Sequence, residues 1–343
     1  MEIIFDNLQT INFHDSFIRV CEMESSMKKG GRIKNFGNST KKYGNLFLFY
    51  IPAVVLALIF SYLPMSGLIM AFKENPNLLG AASPVESILN AEWVGFDNFL
   101  KIFSKKEFLN ALRNTLVISM LKIVIVFPMP IILAVILNEM RGKILKKSLQ
   151  IAMYLPYFLS WATIGGIFLT ILNKDTGLVN NILAFLGHGR IAFATDNTTF
   201  RFVLILTNAW KDIGWSTIAY LAAITALDRN QVEAAKIDGA SKWQQIWYIT
   251  LPGIIPVIVS MLIIRLGYIM NAGFEQVYVF YSPYIQESGD ILGTYTYRLV
   301  REASLMPQYA LSAAADFFNS AVGLLMVLTG NFVSKKLLGK SIW

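Results

Sequence analysis

Cysteine occurs once in the 343 residues, at Cys21, and histidine twice, at His14 and His188. One thiol builds neither a disulfide framework nor a thiolate metal site, and His188 has no metal-ligating neighbour at useful spacing. Charge is scarce too: 15% of the chain is Asp, Glu, Lys or Arg, against about 25% in ordinary globular proteins. HExxH and GxSxG are absent, which argues against a membrane-embedded hydrolase. The GK[ST] triplet Gly339-Lys340-Ser341 lacks the upstream glycine of a phosphate loop, because Ser334 stands in its place. The chain is therefore read as a non-enzyme, with no cofactor or metal of its own.

Apolar sequence is what the chain has in quantity: 55% of residues are hydrophobic and the mean hydropathy is +0.51. Runs long enough to cross about 30 Å of hydrocarbon recur along it. Six are expected, near Leu46–Phe72, Thr115–Asn138, Leu149–Leu172, Phe202–Leu227, Leu251–Asn271 and Leu311–Val333. Backbone in lipid must satisfy its own hydrogen bonds, and the runs show no barrel-like alternation of apolar and polar residues. The expected fold is thus an all-α membrane protein with six transmembrane helices. Pro52, Pro64, Pro128, Pro130, Pro156 and Pro256 lie inside the runs and imply kinked helices covered by their neighbours.

Basic residues set the orientation. Arg19, Lys28, Lys29, Arg32, Lys34, Lys41 and Lys42 precede the first span, Arg141, Lys143, Lys146 and Lys147 follow the second, and Lys335, Lys336 and Lys340 lie after the last. The positive-inside rule places both termini in the cytoplasm. The net charge of +8 is then a topology signal and not a nucleic-acid footprint. Residues 1–42 read as a cytoplasmic N-terminal segment, 43–334 as the six-span domain and 335–343 as a cytoplasmic tail. Within the first, residues 1–26 lack both the order of a signal peptide and the length of a span, and read as a disordered extension or a mis-assigned start.

The stretch 228–250 is polar and lies between two apolar runs, in the cytoplasmic loop after the fourth span. It reads as two short helices. Asp228 is placed to cap the first, Asp238-Gly239 breaks it, Ser241 caps the second, and Pro252 ends that second helix against the next span. Trp243, Ile246, Trp247 and Ile249 fall near one side, a stripe suited to docking.

The spacing of Glu233-Ala234-Ala235, Gly239, Ile249 and Leu251-Pro252 resembles the EAA loop of permease subunits in binding-protein-dependent ABC importers. VGFDNFLKIFS (94–104), AGFEQVYVFY (272–281) and the terminal TGNFVSKKLLGKSIW are similar to the carbohydrate-uptake branch, in particular its LplB-like oligosaccharide or polysaccharide permeases. The likeness begins near residue 43. One departure is Leu227-Asp228-Arg229, where many relatives carry a proline before the motif. The resemblance implies a type I ABC importer permease fold in a bacterial plasma membrane. It also implies two cytosolic ATPase subunits that bind ATP and Mg, a second and different permease, an extracellular sugar-binding lipoprotein, and lipid around the spans. In that setting Glu233, Ala234, Ala235, Asp238, Gly239, Ala240, Trp243, Ile246, Trp247, Ile249, Leu251 and Pro252 make up the coupling loop. Glu233 would pair with a basic group of the ATPase, Gly239 would permit the turn, and the Trp243/Ile246/Trp247 face would fill the docking groove.

Ionisable groups inside spans are costly unless paired or hydrated. Lys122, Lys211, Asp212, Arg265 and Asp316 are such groups, and all fall in the outer half of their spans. Two readings stand. Either they line a polar translocation cavity opening outward, with Asp212 or Asp316 orienting sugar hydroxyls and the cations binding any substrate carboxylate, or they pair with one another, for example Asp212 or Asp316 with Arg265, to fix helix register. After the fifth span, Phe274, Glu275, Gln276, Tyr278 and Tyr281 supply the aromatic faces and planar polar groups that sugars favour. The alternative function is an ion-coupled secondary transporter of a polar solute, which has no use for an EAA-spaced hairpin.

Overall fold

The structure, a computed structural model, describes residues 50–78, 83–302 and 306–338. The segment 1–42, the extension 1–26 within it, and the tail from residue 339 lie outside those residues. Among the described residues every named element is helical, and the extended contact is a lone bridge between Lys73 and Trp93. The chain divides into a unit ending at Gly67 and a second starting at Leu68. What is described of the first is a single apolar helix, the greater part of α1 (Tyr50–Phe72). The second unit holds α2 (Pro84–Asn90), α3 (Asp97–Ser104), α4 (Lys106–Glu139), α5 (Lys143–Phe158), α6 (Trp161–Ile171) and α7 (Leu178–Phe185). It continues with α8 (Phe200–Thr225), α9 (Arg229–Ile237), α10 (Lys242–Gly267), α11 (Phe274–Phe280), α12 (Leu292–Arg301) and α13 (Tyr309–Leu338).

Among the described residues four helices, α1, α4, α10 and α13, are long and apolar enough to cross a membrane, and α5 with α6 makes a fifth if the pair is one span. The 26 residues of α8 reach about 39 Å at a rise of 1.5 Å per residue, but this helix carries Arg201, Lys211 and Asp212 and is not among the four. The expected single helix over Leu149–Leu172 is broken, its halves meeting at 103°. Pro156 lies in a tight 3-10 ending, Leu159 is extended, and the Ser160 hydroxyl accepts the Thr163 N–H at 3.2 Å to start α6 afresh. A proline followed by an N-capping serine is a stop and a start in succession.

Three further prolines are absorbed. Three π-helical turns, Leu58–Tyr62, Lys122–Val126 and Ile246–Thr250, each stand two residues ahead of a proline: Pro64, Pro128 and Pro252. Proline lacks an N–H and its ring crowds the carbonyl one turn back. In each wide turn the residue before the proline bonds five residues back, Leu63 to Leu58, Phe127 to Lys122 and Leu251 to Ile246, which opens the ladder where the ring must fit. Pro252 therefore does not end the second hairpin helix. α10 runs through it from the hairpin into the apolar span.

In the second unit α8 crosses α4, α5 and α10, and α13 packs against α10, α12 and α3. One cluster gathers Ile102, Phe108, Ala111, Met270, Leu292, Tyr295 and Ala314, and beside it Phe72 meets Trp93, Phe96, Phe99 and Phe317 with ring centroids 5.4 to 5.8 Å apart. A second cluster, Ala134, Tyr220, Ile224 and Ile254, lies next to the hairpin. Glycine lets α5 and α8 touch: a Cβ on Gly214 would stand 1.9 Å from the Met153 carbonyl oxygen. Gly214→Ala is expected to lower the stability of the purified protein by about 1–3 kcal/mol through overpacking. A thermal-unfolding midpoint equal to wild type would contradict so close a crossing.

Candidate functional site

The 228–250 stretch forms the two helices its residues dictate. The Asp228 carboxylate accepts the Asn230 N–H at 2.9 Å and starts α9. Gly239, at φ 78°, ends it, and the Ala240 N–H donates back to the Ala235 carbonyl at 2.8 Å, the closing bond of a Schellman turn. Ser241 and Gln244 then cap each other's backbone N–H groups reciprocally at the start of α10. Gln245, buried, donates to the Ala240 carbonyl at 2.8 Å, and Lys242 pairs with Glu139 at the end of α4 at 2.5 Å. These bonds fix the turn on its base while its tip stays open. Glu233, Ala234, Asp238 and Pro252 are exposed, and Ala235, Ala240 and Leu251 are partly covered. The expected apolar stripe divides: Trp243 and Trp247 are 71% and 62% exposed, whereas Ile246 and Ile249 are half-buried.

A polar cavity of about 250 Å³ lies at the other end of α10, between α4, α6, α8 and the α10–α11 turn. Lys122, Asn208, Asp212, Arg265, Asn271 and Gln276 line it. The Asp212 carboxylate accepts from Asn208 at 2.8 Å and lies 3.7 Å from the Arg265 guanidinium. The two residues form an ion pair that also lines the cavity. Lys122 donates to the Ala272 carbonyl at 2.8 Å and to Gln276 Oε1 at 2.6 Å. Gln276 in turn donates to the Leu204 carbonyl and to Thr207 Oγ1, both at 2.7 Å. Its amide is spent and its side chain fully buried. Gln276 therefore ties Lys122 to α8 and does not offer itself to a sugar as the sequence suggests.

The five span charges do not share one cavity. Lys211 turns to the break between α5 and α6, where it donates to the Tyr157 and Leu159 carbonyls between the rings of Tyr157 and Trp161. It caps orphan carbonyls at a helix end, where a cation is favoured. Asp316 lines a separate cavity of about 480 Å³ with Asn271, Phe274, Thr296, Tyr297, Arg301 and Asn319. Phe274 stacks on Tyr278 at 5.6 Å, and the Tyr278 ring lies 4.9 Å from Tyr297, an aromatic wall beside that carboxylate. Glu275 is exposed and lines neither of these cavities. Tyr281 faces elsewhere, its hydroxyl taking a bond from Arg298 at 2.9 Å.

That contact belongs to a network the sequence reading missed. Arg298 grips Asp290 with two bonds of 2.6 Å, and Asp290 is 1% exposed. Burial opposes the Arg298 charge, yet the bonds and charge of Asp290 hold its pKa above the ordinary value, while burial pushes the Tyr281 phenol up. Nearby, Arg201 donates to Asn114 at 2.8 Å, and Asn114 donates to the Asp290 carbonyl at 3.0 Å. The segment 286–298 is thereby bound to α4 and α8. Asn271 was missed as well, although an Asn-Ala-Gly run after a long apolar stretch is a helix-ending signal. Among the described residues no group of three or more His, Cys, Asp and Glu stands together to hold a metal.

Comparison with known proteins places this architecture. Residues 126–338 match the family described as binding-protein-dependent transport system inner membrane component, and the chain belongs to it. It is the membrane permease of an ABC importer, a transport subunit and not an enzyme. The polygalacturonan/rhamnogalacturonan transport system permease protein YteP of Bacillus subtilis (strain 168) is 40% identical over 291 residues, 85% of this chain and 88% of that protein. Protein LplB of the same strain is 38% identical over the same shares. Among solved structures, a bacterial ABC transporter that imports the acidic polysaccharide alginate has a chain 38% identical, with a TM-score of 0.79 over 89% of this chain and 99% of that one. A chain of the bacterial alginate transporter in complex with an alginate pentasaccharide-bound periplasmic protein gives a TM-score of 0.80 at 37% identity, covering 90% of this chain and 100% of its own.

Removing one member of the Asp290–Arg298 pair leaves a charge buried without its partner. Arg298→Ala is expected to destabilise the purified protein by about 3–5 kcal/mol, and Asp290→Asn combined with Arg298→Gln by much less. Equal melting points for both variants and wild type would show that the pair does not hold the segment.

Proposed function

We propose that this chain is one of two permeases in an ATP-driven importer of oligosaccharides or polysaccharide fragments, which reach it on an extracellular binding protein. Six spans form the translocation domain: the four long apolar helices, the bent pair α5–α6, and α8, whose charged residues face the interior. Both termini and the 228–250 hairpin lie in the cytoplasm, as the basic residues flanking the spans require. ATP and Mg bind to two partner ATPase subunits, because this chain carries no phosphate loop.

The observation that carries the reading is the hairpin itself: a capped, rigid two-helix turn that projects exposed Trp243 and Trp247 and is continuous, through α10, with the wall of the polar cavity. Large exposed aromatics on a polar, rigid element mark a docking surface. A push on the hairpin is passed along one helix to Arg265, which lines the cavity. ATPase closure then draws the hairpins of the two permeases together and alternates the cavity between the two sides of the membrane. Relatives that carry pectic and alginate polymers by name support the sugar assignment. So does the aromatic wall beside Asp316 and Asn319. An ion-coupled carrier would need no such hairpin and would run without ATP.

Glu233→Lys combined with Gly239→Val is expected to abolish uptake and release the ATPase subunits while the chain stays in the membrane. Gly239 has φ 78°, so a β-branched residue there also distorts the turn. Normal uptake together with normal ATPase co-purification would refute the coupling role.

A further inference from the structure

The turn between α10 and α11 takes two left-handed residues in succession, Ala272 at φ 51° and Gly273 at φ 83°. Such a conformation is disfavoured for alanine and persists only where the surroundings enforce it. Here they do. Lys122 holds the Ala272 carbonyl, and Asn271 Oδ1 accepts the N–H groups of Gly273 and Phe274, both at 3.2 Å. With the oxygen committed to the turn, the amide nitrogen of Asn271 carries two N–H donors, and among the described residues no acceptor meets them.

Asn271 is exposed, and it lies where cavities meet. It lines the inner cavity with Asp212 and Arg265, the outer cavity with Asp316 and Arg301, and a third of about 530 Å³ between α10 and α13. A guanidinium therefore stands on each side of it: Arg265 inward, with one long contact to Asp212, and Arg301 outward. Arginine and an amide N–H can only donate. The carboxylates of Asp212 and Asp316 line the same two cavities, Asp212 held by Arg265 and Asn208, so a solute passing this point meets Asn271 and two guanidiniums as donors beside them, which suits a repeated acceptor such as a carboxylate on each sugar unit.

We infer that Asn271 is a specificity-determining residue of the pathway, whose amide N–H groups read the carboxylate of a uronate-containing oligosaccharide as it moves between Arg301 and Arg265. The inference rests on the oligosaccharide-permease reading and narrows its substrate class to acidic glycans. Asn271→Asp isolates the effect, because it keeps an oxygen for the Gly273 and Phe274 N–H groups while replacing the free donors by an acceptor of like charge to the substrate.

The test is uptake by cells carrying this chain with its partner subunits, using uronate trisaccharides (mannuronate and galacturonate) and the same trisaccharides with their carboxyls reduced to alcohols. Wild type is expected to favour the acidic members. Asn271→Asp is expected to lower uronate uptake about tenfold or more, the loss of a charge-assisted hydrogen bond, and to leave the reduced sugars within about twofold. Membrane level and ATPase co-purification serve as folding controls. Should Asn271→Asp fail them, Asn271→Ser, which keeps a shorter acceptor and donor, is expected to cut uronate uptake selectively. Uronate uptake equal to wild type in a folded variant, or equal entry of acidic and reduced sugars into wild type, overturns the inference while leaving the importer reading intact. Wild-type cells that take up neither set while the complex still hydrolyses ATP overturn both.

Discussion

A peptide carbonyl without a donor inside hydrocarbon costs several kcal/mol, and that constraint is met in this chain wherever the helices depart from regularity. Where prolines interrupt α4 and α10, π turns re-route the ladder, with Phe127 and Leu251 reaching back five residues. Where α5 stops at Leu159, the Lys211 ammonium supplies the missing donors. Where α10 ends and the chain turns through Ala272, Lys122 does the same. Two of the five span charges are thus committed to backbone, and their cost is set against carbonyls that would otherwise be orphaned. Asp212, Arg265 and Asp316 are not committed to backbone in this way, and they line cavities, the inner one together with Lys122.

This division gives the polar interior its geometry. Lys122 and Gln276 form a fixed link from α4 through α11 to α8. The link positions the left-handed turn and, with it, Asn271 and Phe274. Below the turn is the cavity with Asp212 and Arg265; beyond it is the aromatic wall of Phe274, Tyr278 and Tyr297. The Asp290–Arg298 pair and the Arg201–Asn114 bonds hold the connecting segment against the same helices. Continuity of α10 from Lys242 to Gly267 means that the hairpin and the cavity are two ends of one rod.

Much of this was legible in the residues. The hairpin was the clearest case, since Asp228, Gly239 and Ser241 act through local bonds that depend only on neighbours in sequence, and each caps or turns as its chemistry demands. The apolar runs gave helices for the same local reason. What could not be read was anything decided by a partner far along the chain. Pro252 reads as a stop because the sequence does not reveal a π turn ahead of it. The run Leu149–Leu172 reads as one helix because apolar composition masks the Pro156–Ser160 break. The sequence assigns Gln276 to the pathway and leaves Lys211 open between cavity and pairing, because polarity inside a span marks either function or repair, and only their distant partners, the Leu204 carbonyl for Gln276 and the Leu159 carbonyl for Lys211, tell them apart.

The proposed coupling makes the 228–250 hairpin the contact through which ATP hydrolysis drives the membrane helices. Trp243 stands at its exposed face, and the chain's cysteine, Cys21, lies far from it in sequence. Replacing Cys21 by serine and Trp243 by cysteine, then treating membranes of cells that carry the partner subunits with a short thiol-to-amine cross-linker, measures the contact directly. A cross-linked product between this chain and the ATPase subunit is expected, with a yield that changes when ATP is added. A product that never contains the ATPase, from a complex that still transports, would contradict it.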